Sequence, residues 1–323
     1  YEVKVMARAG ASHDLIVLKS VSLASSHLRD DLLARLRAEA TTTAAFDHPH
    51  IVRINRVFEA ASSIHIEMPY YPGGNLARWL AHRPPGPPGL PLLRIFRQIA
   101  SALTAAHAAG IVHRDVKPAN VFVADPNAPH VVLGDFGIAK AVDATTTTVS
   151  SASTASASSL AFGTAHYAAP EATSSTWAHL THRFAVDVYS LGIIMLETIS
   201  GKQLSLASRP ASAAAAVAAL GPAVADAPLM AQLAPTVAAM LDTNPAARPP
   251  ITAVLALLDE LIPQAQALAS LRTRTSSRLH ALHSLRRNIH HARAAIGLAP
   301  VVWPVPDPAV HSATLFSFLS AAP

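Results

Sequence analysis

The stretch IVHRDVKPANVFV, Ile111 to Val123, sets Asp115, Lys117 and Asn120 in a loop between two β-branched apolar runs. A carboxylate, an ammonium and a carboxamide within six residues suit the transfer of a phosphoryl group. That reaction asks little covalent chemistry of a protein; it needs a hydroxyl held in line, divalent metal on the phosphates and positive charge on the group in transit. Asp115 can accept the hydroxyl proton, Lys117 can neutralise the transferring phosphoryl and the Asn120 oxygen can hold a metal ion. Fifteen residues past Asn120, the triplet DFG (Asp135 to Gly137) offers a second metal-binding carboxylate at a strand end.

The surrounding chain supports a globular reading. It has 323 residues, 51% of them hydrophobic, and no Cys, which excludes disulfides and thiolate metal sites. No uninterrupted apolar run reaches the length of a spanning helix, and the first residues show no basic-then-apolar leader, so the chain reads as cut from something longer. The lack of Cys fits either a cytosolic or a secreted setting, and a cytoplasmic one is the expectation. The net charge of +5 is unevenly spread: residues 263–323 carry 6 Arg against Asp307 alone, and the neutral remainder gives no electrostatic reason to expect nucleic acid.

Upstream of the loop, YEVKVMAR and LIVLKSVSL read as neighbouring antiparallel strands, HLRDDLLARLRAEA as an amphipathic helix, and IVRINRVFEA and SIHIEMPY as two further strands. After PYYPGGN helical patterns take over. A helix over Leu92 to Ala109 is expected to end at Gly110, VFVADPNAPHVVLGDF to form a hairpin, FAVDVYSLGIIMLETIS a buried helix, and TVAAMLDTNPAARPPITAVLALLDEL two helices broken at the prolines. The Ser/Thr/Ala-rich run centred on residues 141–159 has no periodicity and reads as irregular.

HRDVKPAN followed by DFG, then GTAHYAAPE (Gly163 to Glu171), DVYSLG (Asp187 to Gly192) and Arg248-Pro249, in that order, resembles the eukaryotic-type (Hanks-type) Ser/Thr protein kinase catalytic domain over residues 1 to about 262. The resemblance implies an α+β, two-lobed protein-kinase-like fold: an incomplete β-rich N-lobe over 1–68, hinge and helical C-lobe over 69–262, and a basic helical and Pro-rich tail over 263–323. It implies ATP with Mg2+ (or Mn2+) as cofactors. Asp115 and Lys117 would be catalytic, and Asn120 and Asp135 metal-binding.

The same resemblance assigns the nucleotide site. The helix Glu expected about ten residues before the Pro of HPHIV is Glu39, and the strand Lys about twenty residues earlier is Lys19 rather than Lys4. Val5, Val17 and Phe122 would sandwich the base, as core residues and ligand contacts at once. Met68 would be the gatekeeper, Pro69 to Tyr71 the hinge, and the Tyr71 amide its donor, since Pro69 has no N–H. Aligning Val5 with the residue after the Gly-rich loop leaves the first strand and nearly all of that loop missing. A kinase-like scaffold or pseudokinase with impaired nucleotide binding therefore stands as the alternative function.

Lys117 and Thr164 resemble the Ser/Thr-specific pattern, so the implied substrates are protein Ser and Thr hydroxyls. Arg114 marks the type in which a phosphorylated activation-loop residue orders the segment, with Thr145 to Thr148 among many acceptors. Glu171 and Arg248 would pair beneath the substrate-docking segment. In the tail, leucines at near-helical spacing with interspersed Arg suggest either a basic amphipathic helix for an anionic membrane surface, an acidic partner or the catalytic domain itself, or a solvated or docked helix without a partner role.

Overall fold

The computed structural model describes residues 2–7, 15–22, 46–60, 63–82, 89–125, 130–136, 166–173, 182–204, 213–220 and 228–295. The expected helix over 27–40 with Glu39, the irregular run at 141–159, Thr164 and the Pro-rich end lie outside them. The chain divides into two compact units, residues 1–266 and 267–323.

Alternating β-branched and polar residues build the N-terminal sheet. Strands β1 (Glu2–Ala7), β2 (Leu15–Ser22), β3 (Arg56–Ala60) and β4 (Ser63–Pro69) form one antiparallel sheet in the order β1-β2-β4-β3. Its register sets Val5 beside Val17 and Val17 beside Met68, and two residues on Val3, Lys19 and Ile66 make the next row. Residues two apart share a face, so Val17, Lys19, Ile66 and Met68 all point the same way. The run 51–60, expected as one strand, divides instead. Its apolar first half docks on the hairpin that follows the catalytic loop: Val52 N–H donates to the Leu133 carbonyl and Leu133 N–H to that of His50. Ladder pairing with β4 begins only at Arg56, the Asn55 N–H already donating to the Glu67 carbonyl at 2.8 Å, because Ile51 and Val52 are committed to the hairpin.

The helical part begins after the hinge. Gly73 and Gly74 open it for separate reasons: a Cβ on Gly73 would stand 2.5 Å from the Val123 carbonyl oxygen, and Gly74 has φ +70°. Asn75 then caps α1 (Leu76–Ala81), accepting from the Arg78 N–H at 3.0 Å. Helix α2 (Leu90–Ala108) starts two residues earlier than its apolar spacing suggests, because Pro91 suits a first turn, and it stops where Gly110 takes φ +78°. A 3-10 turn, Pro118–Asn120, leads into the hairpin β5 (Val121–Asp125) and β6 (His130–Leu133).

Helix α3 (Ala185–Ser200) is buried on nearly every side, with α4 (Ala213–Leu220) and α5 (Pro228–Met240) packed around it. The break at NPAARPP is a 3-10 turn, Pro245–Ala247, and beyond it α6 runs from Ile251 to Ala295, passing Pro263 without interruption. Two apolar clusters hold the first unit together. The larger joins α2, α3, α5 and the start of α6; the smaller joins Ile54, Ile64, Ile66 and Met68 of the sheet region to Val52 and Val132 at the hairpin.

Candidate active site

The catalytic loop is held from beneath by a buried charge. Asp187, near the start of α3 and fully buried, accepts from His113 N–H (2.8 Å) and Arg114 N–H (2.8 Å), and its Oδ2 lies 2.9 Å from His107 Nε2. A buried carboxylate needs such partners, and here they are the backbone of the loop itself. That grip explains why Arg114 adopts φ +69°, a left-handed conformation costing about 1–3 kcal/mol for a residue other than Gly.

Above this base the polar side chains converge. Asn120 Nδ2 donates to both the backbone oxygen and Oδ2 of Asp115, each at 2.8 Å, and Lys117 Nζ lies 2.8 Å from the same Oδ2. With the Asn120 nitrogen so engaged, its Oδ1 is the atom left to accept or ligate. The loop and the DFG strand end are stitched through Gly134: its N–H donates to the Asn120 carbonyl at 2.9 Å, and its carbonyl lies 2.9 Å from His113 Nε2. A Cβ on Gly134 would come within 2.7 Å of Val52 Cγ2 and 2.9 Å of Phe122 Cε2. Only Gly allows this approach.

Asp135 follows with φ +59° and receives Lys19 Nζ on Oδ1 at 2.8 Å, across 116 residues of sequence. Both side chains are largely withdrawn from water, at 6% and 26% exposed. Phe136, the next residue, is buried against His113 and Phe46. Burial lowers the pKa of His113 despite the pull of Asp187, Asp115 and Asp135 in the other direction, so the ring bridging loop and strand is kept neutral.

The expected adenine walls fall into one cluster. Val17, Met68, Tyr71 and Phe122 pack with the smaller apolar group, and the Tyr71 and Phe122 rings stack at 5.8 Å. Val5 shares their sheet face but is 54% exposed. In the hinge the Tyr70 N–H is taken by the Leu15 carbonyl and the Tyr71 carbonyl by the Gly74 N–H. The Tyr71 N–H has no such backbone acceptor among the described residues, which leaves it as the donor the hinge can offer.

Below the loop Arg248 grips Glu171 through both guanidinium nitrogens, donates to the Asp242 and Ala185 carbonyls, and lies over the Tyr189 ring at 4.8 Å. Three residues absent from the sequence-based site join this frame: His107, Asp187 and Glu197. Glu197 lies 2.6 Å from His166 Nε2 and accepts from the Tyr167 hydroxyl at 3.0 Å and the Leu204 N–H at 2.7 Å. Asp187 and Glu197 had a legible signal, two acids inside an otherwise apolar helix, since a charge there must be paired. His107 had none.

The donors fit the group that this chemistry implies. Asp135 and the Asn120 Oδ1 are hard oxygen ligands of the kind magnesium prefers, and Lys19 beside Asp135 matches phosphate charge.

The family model described as protein kinase domain matches residues 3–256. Among curated proteins the chain is 34% identical over 181 residues to the probable serine/threonine-protein kinase PknB of Lactococcus lactis subsp. lactis, covering 56% of this chain and 26% of that one. It is 37% identical over 173 residues to PknE of Mycobacterium bovis (53% and 28%) and 31% identical over 201 residues to PrkC of Bacillus subtilis (61% and 29%), both named serine/threonine-protein kinases. The chain thus spans under a third of the length of these relatives. Among solved structures, the Mycobacterium tuberculosis PknI kinase domain superposes with a TM-score of 0.55 at 25% identity, covering 80% of this chain and 89% of that one.

Proposed function

Because this chain belongs to the protein kinase domain family, whose members use ATP with a divalent metal, we propose that it transfers the γ-phosphoryl group of ATP to Ser and Thr hydroxyls of proteins. The observation that carries this reading is the convergence of Asp115, Lys117 and Asn120 with the Lys19–Asp135 pair, joined through Gly134. Lys19 and Asp135 hold each other's charge largely out of water. A magnesium nucleotide complements both at once, offering phosphate oxygens to the Lys and a cation to the carboxylate.

In this reading Asp115 orients the acceptor hydroxyl and takes its proton. Its Oδ2 already accepts from Lys117 and Asn120, so Oδ1 is the oxygen turned to substrate. Lys117 lies beside that carboxylate and steadies the transferring phosphoryl. Asn120 and Asp135 hold Mg2+ (or Mn2+), which neutralises charge developing on the phosphates. The Tyr71 amide and the Met68, Val17 and Phe122 walls seat the base, with Val5 closing it from the sheet side. Glu39 orients Lys19, and Thr164 and Arg114 act at the activation and docking segment. ATP supply favours a cytoplasmic position for this domain. The basic tail offers a surface to an anionic partner, and no nucleic acid is expected at the neutral catalytic part.

Radiolabelled ATP with a generic Ser/Thr protein substrate tests the assignment. Asp115→Asn should lower the rate by about a hundredfold to ten-thousandfold, the range for loss of a general base, and an undiminished rate would remove the mechanism. Mg-ATP at about a hundred times its dissociation constant should stabilise the fold by about 2.7 kcal/mol. The absence of any thermal shift would select the scaffold reading instead.

A further inference from the structure

We infer that the helical segment 267–295 is an interfacial anchor for an anionic lipid surface. This rests on reading the tail as a basic binding surface and names its partner.

By length and composition, Ile251–Ile289 is a helix long and apolar enough to cross a membrane. It does not fit that role. Ile251, Val254, Leu258, Leu261 and Ala265 are buried in the core of the first unit, and five arginines fall between Arg272 and Arg287. Residues 267–295 extend about 43 Å as a helix and contain six Arg and no Asp or Glu. Leu271, Leu282 and Leu285 are 50%, 54% and 55% exposed, and Arg274, Arg278 and Arg287 are exposed as well.

Their spacing decides between occupants. At about 100° per residue, Arg274, Leu285, Arg278, Leu271 and Leu282 fall in one stripe roughly 80° wide. In a coiled coil with a second copy, that stripe would set arginine against arginine with no acid to pair, which is repulsive. An acidic protein would have to supply a fixed carboxylate for each embedded guanidinium, and the segment has no Trp, Tyr or Phe to anchor such an interface. A lipid headgroup layer has mobile anions. Leucines can enter the acyl boundary while the neighbouring arginines reach back to the phosphates.

The test is vesicle co-sedimentation of the full chain. It should bind vesicles containing about 30 mol% phosphatidylglycerol in phosphatidylcholine and ignore phosphatidylcholine alone, with binding lost as salt rises above about 0.1 M. The pair Arg274→Gln and Arg278→Gln should weaken partition about twenty-five-fold, about fivefold for each charge, whereas Arg287→Gln, on the opposite face of the helix, should change it less. The pair Leu282→Gln and Leu285→Gln should abolish binding, with helicity by circular dichroism and phosphotransfer unchanged. Polyglutamate-coated beads form the second arm. Capture there that ignores the leucine changes, without vesicle binding, would overturn the lipid anchor and leave the basic surface standing. Binding to neither would overturn both.

Discussion

At the scale of single residues, two side chains carry backbone strain where the chemistry is placed. Arg114 and Asp135 are the non-glycine residues with positive φ among those described. Each is held by bonds from far along the chain: Arg114 through Asp187, Asp135 through Lys19 and its neighbour Gly134. Asp187 touches no substrate in this arrangement; it positions the loop. Asp187→Asn turns an amide NH2 toward at least one of the three N–H groups that now converge on the carboxylate. We expect kcat to fall by about a hundredfold, the scale of a misplacement near 1 Å, with KM for ATP little changed. A variant that lost thermal stability but kept kcat would show that Asp187 only supports the fold. Asp115, Asn120 and Asp135 were readable because their chemistry is local to short motifs. The role of Asp187 was not, because it consists of hydrogen bonds to a segment more than seventy residues away.

At the scale of elements, the turn His48–Ile51 meets the hairpin strand β6 through imidazoles packed edge to face. His50 and His130 rings lie 5.1 Å apart, and His48 and His50 rings 5.7 Å apart. His50 Nδ1 lies 3.1 Å from the Val131 carbonyl, and His48 Nε2 lies 3.1 Å from Ser101 Oγ on α2. Burial, with His130, His48 and Arg97 as positive or chargeable neighbours, lowers the His50 pKa from 6.5 to about 4, against the smaller upward pull of the Val131 carbonyl. A depressed imidazole pKa means that the folded state binds fewer protons than the unfolded one in this window. Stability therefore falls as pH drops from 6.5 toward about 4. His50→Gln should reduce the loss of urea midpoint between neutral pH and about pH 4.5. An acid limb identical to that of the parent would show that His50 titrates alike in the folded and unfolded states. His113, shifted the same way by burial, contributes with the same sign.

At the scale of the molecule, the first unit depends on a helix that begins after the last sequence motif. Ile251, Val254, Leu258 and Leu261 of α6 are buried in the larger cluster. Each contributes about 1.5–3 kcal/mol, against a total stability of about 5–15 kcal/mol for a domain. A chain ending at Pro250 should therefore lose its cooperative unfolding transition, measured by urea titration, although every motif residue from Lys19 to Arg248 is retained. A sharp transition at an unchanged midpoint would mean that the core closes without α6.

By itself the sequence determined the family, the two-lobed α+β architecture and the order of most strands and helices, since these follow from short motifs, period-2 and period-3.6 patterning and Pro/Gly punctuation. It also separated the neutral catalytic part from the basic tail. Tertiary structure alone decided which half of residues 51–60 pairs with the sheet, and that Asp187, His107 and Glu197 brace the loop and docking segment. Those outcomes rest on buried charges finding partners across long stretches of chain. Burial and distance are properties that local patterning does not encode.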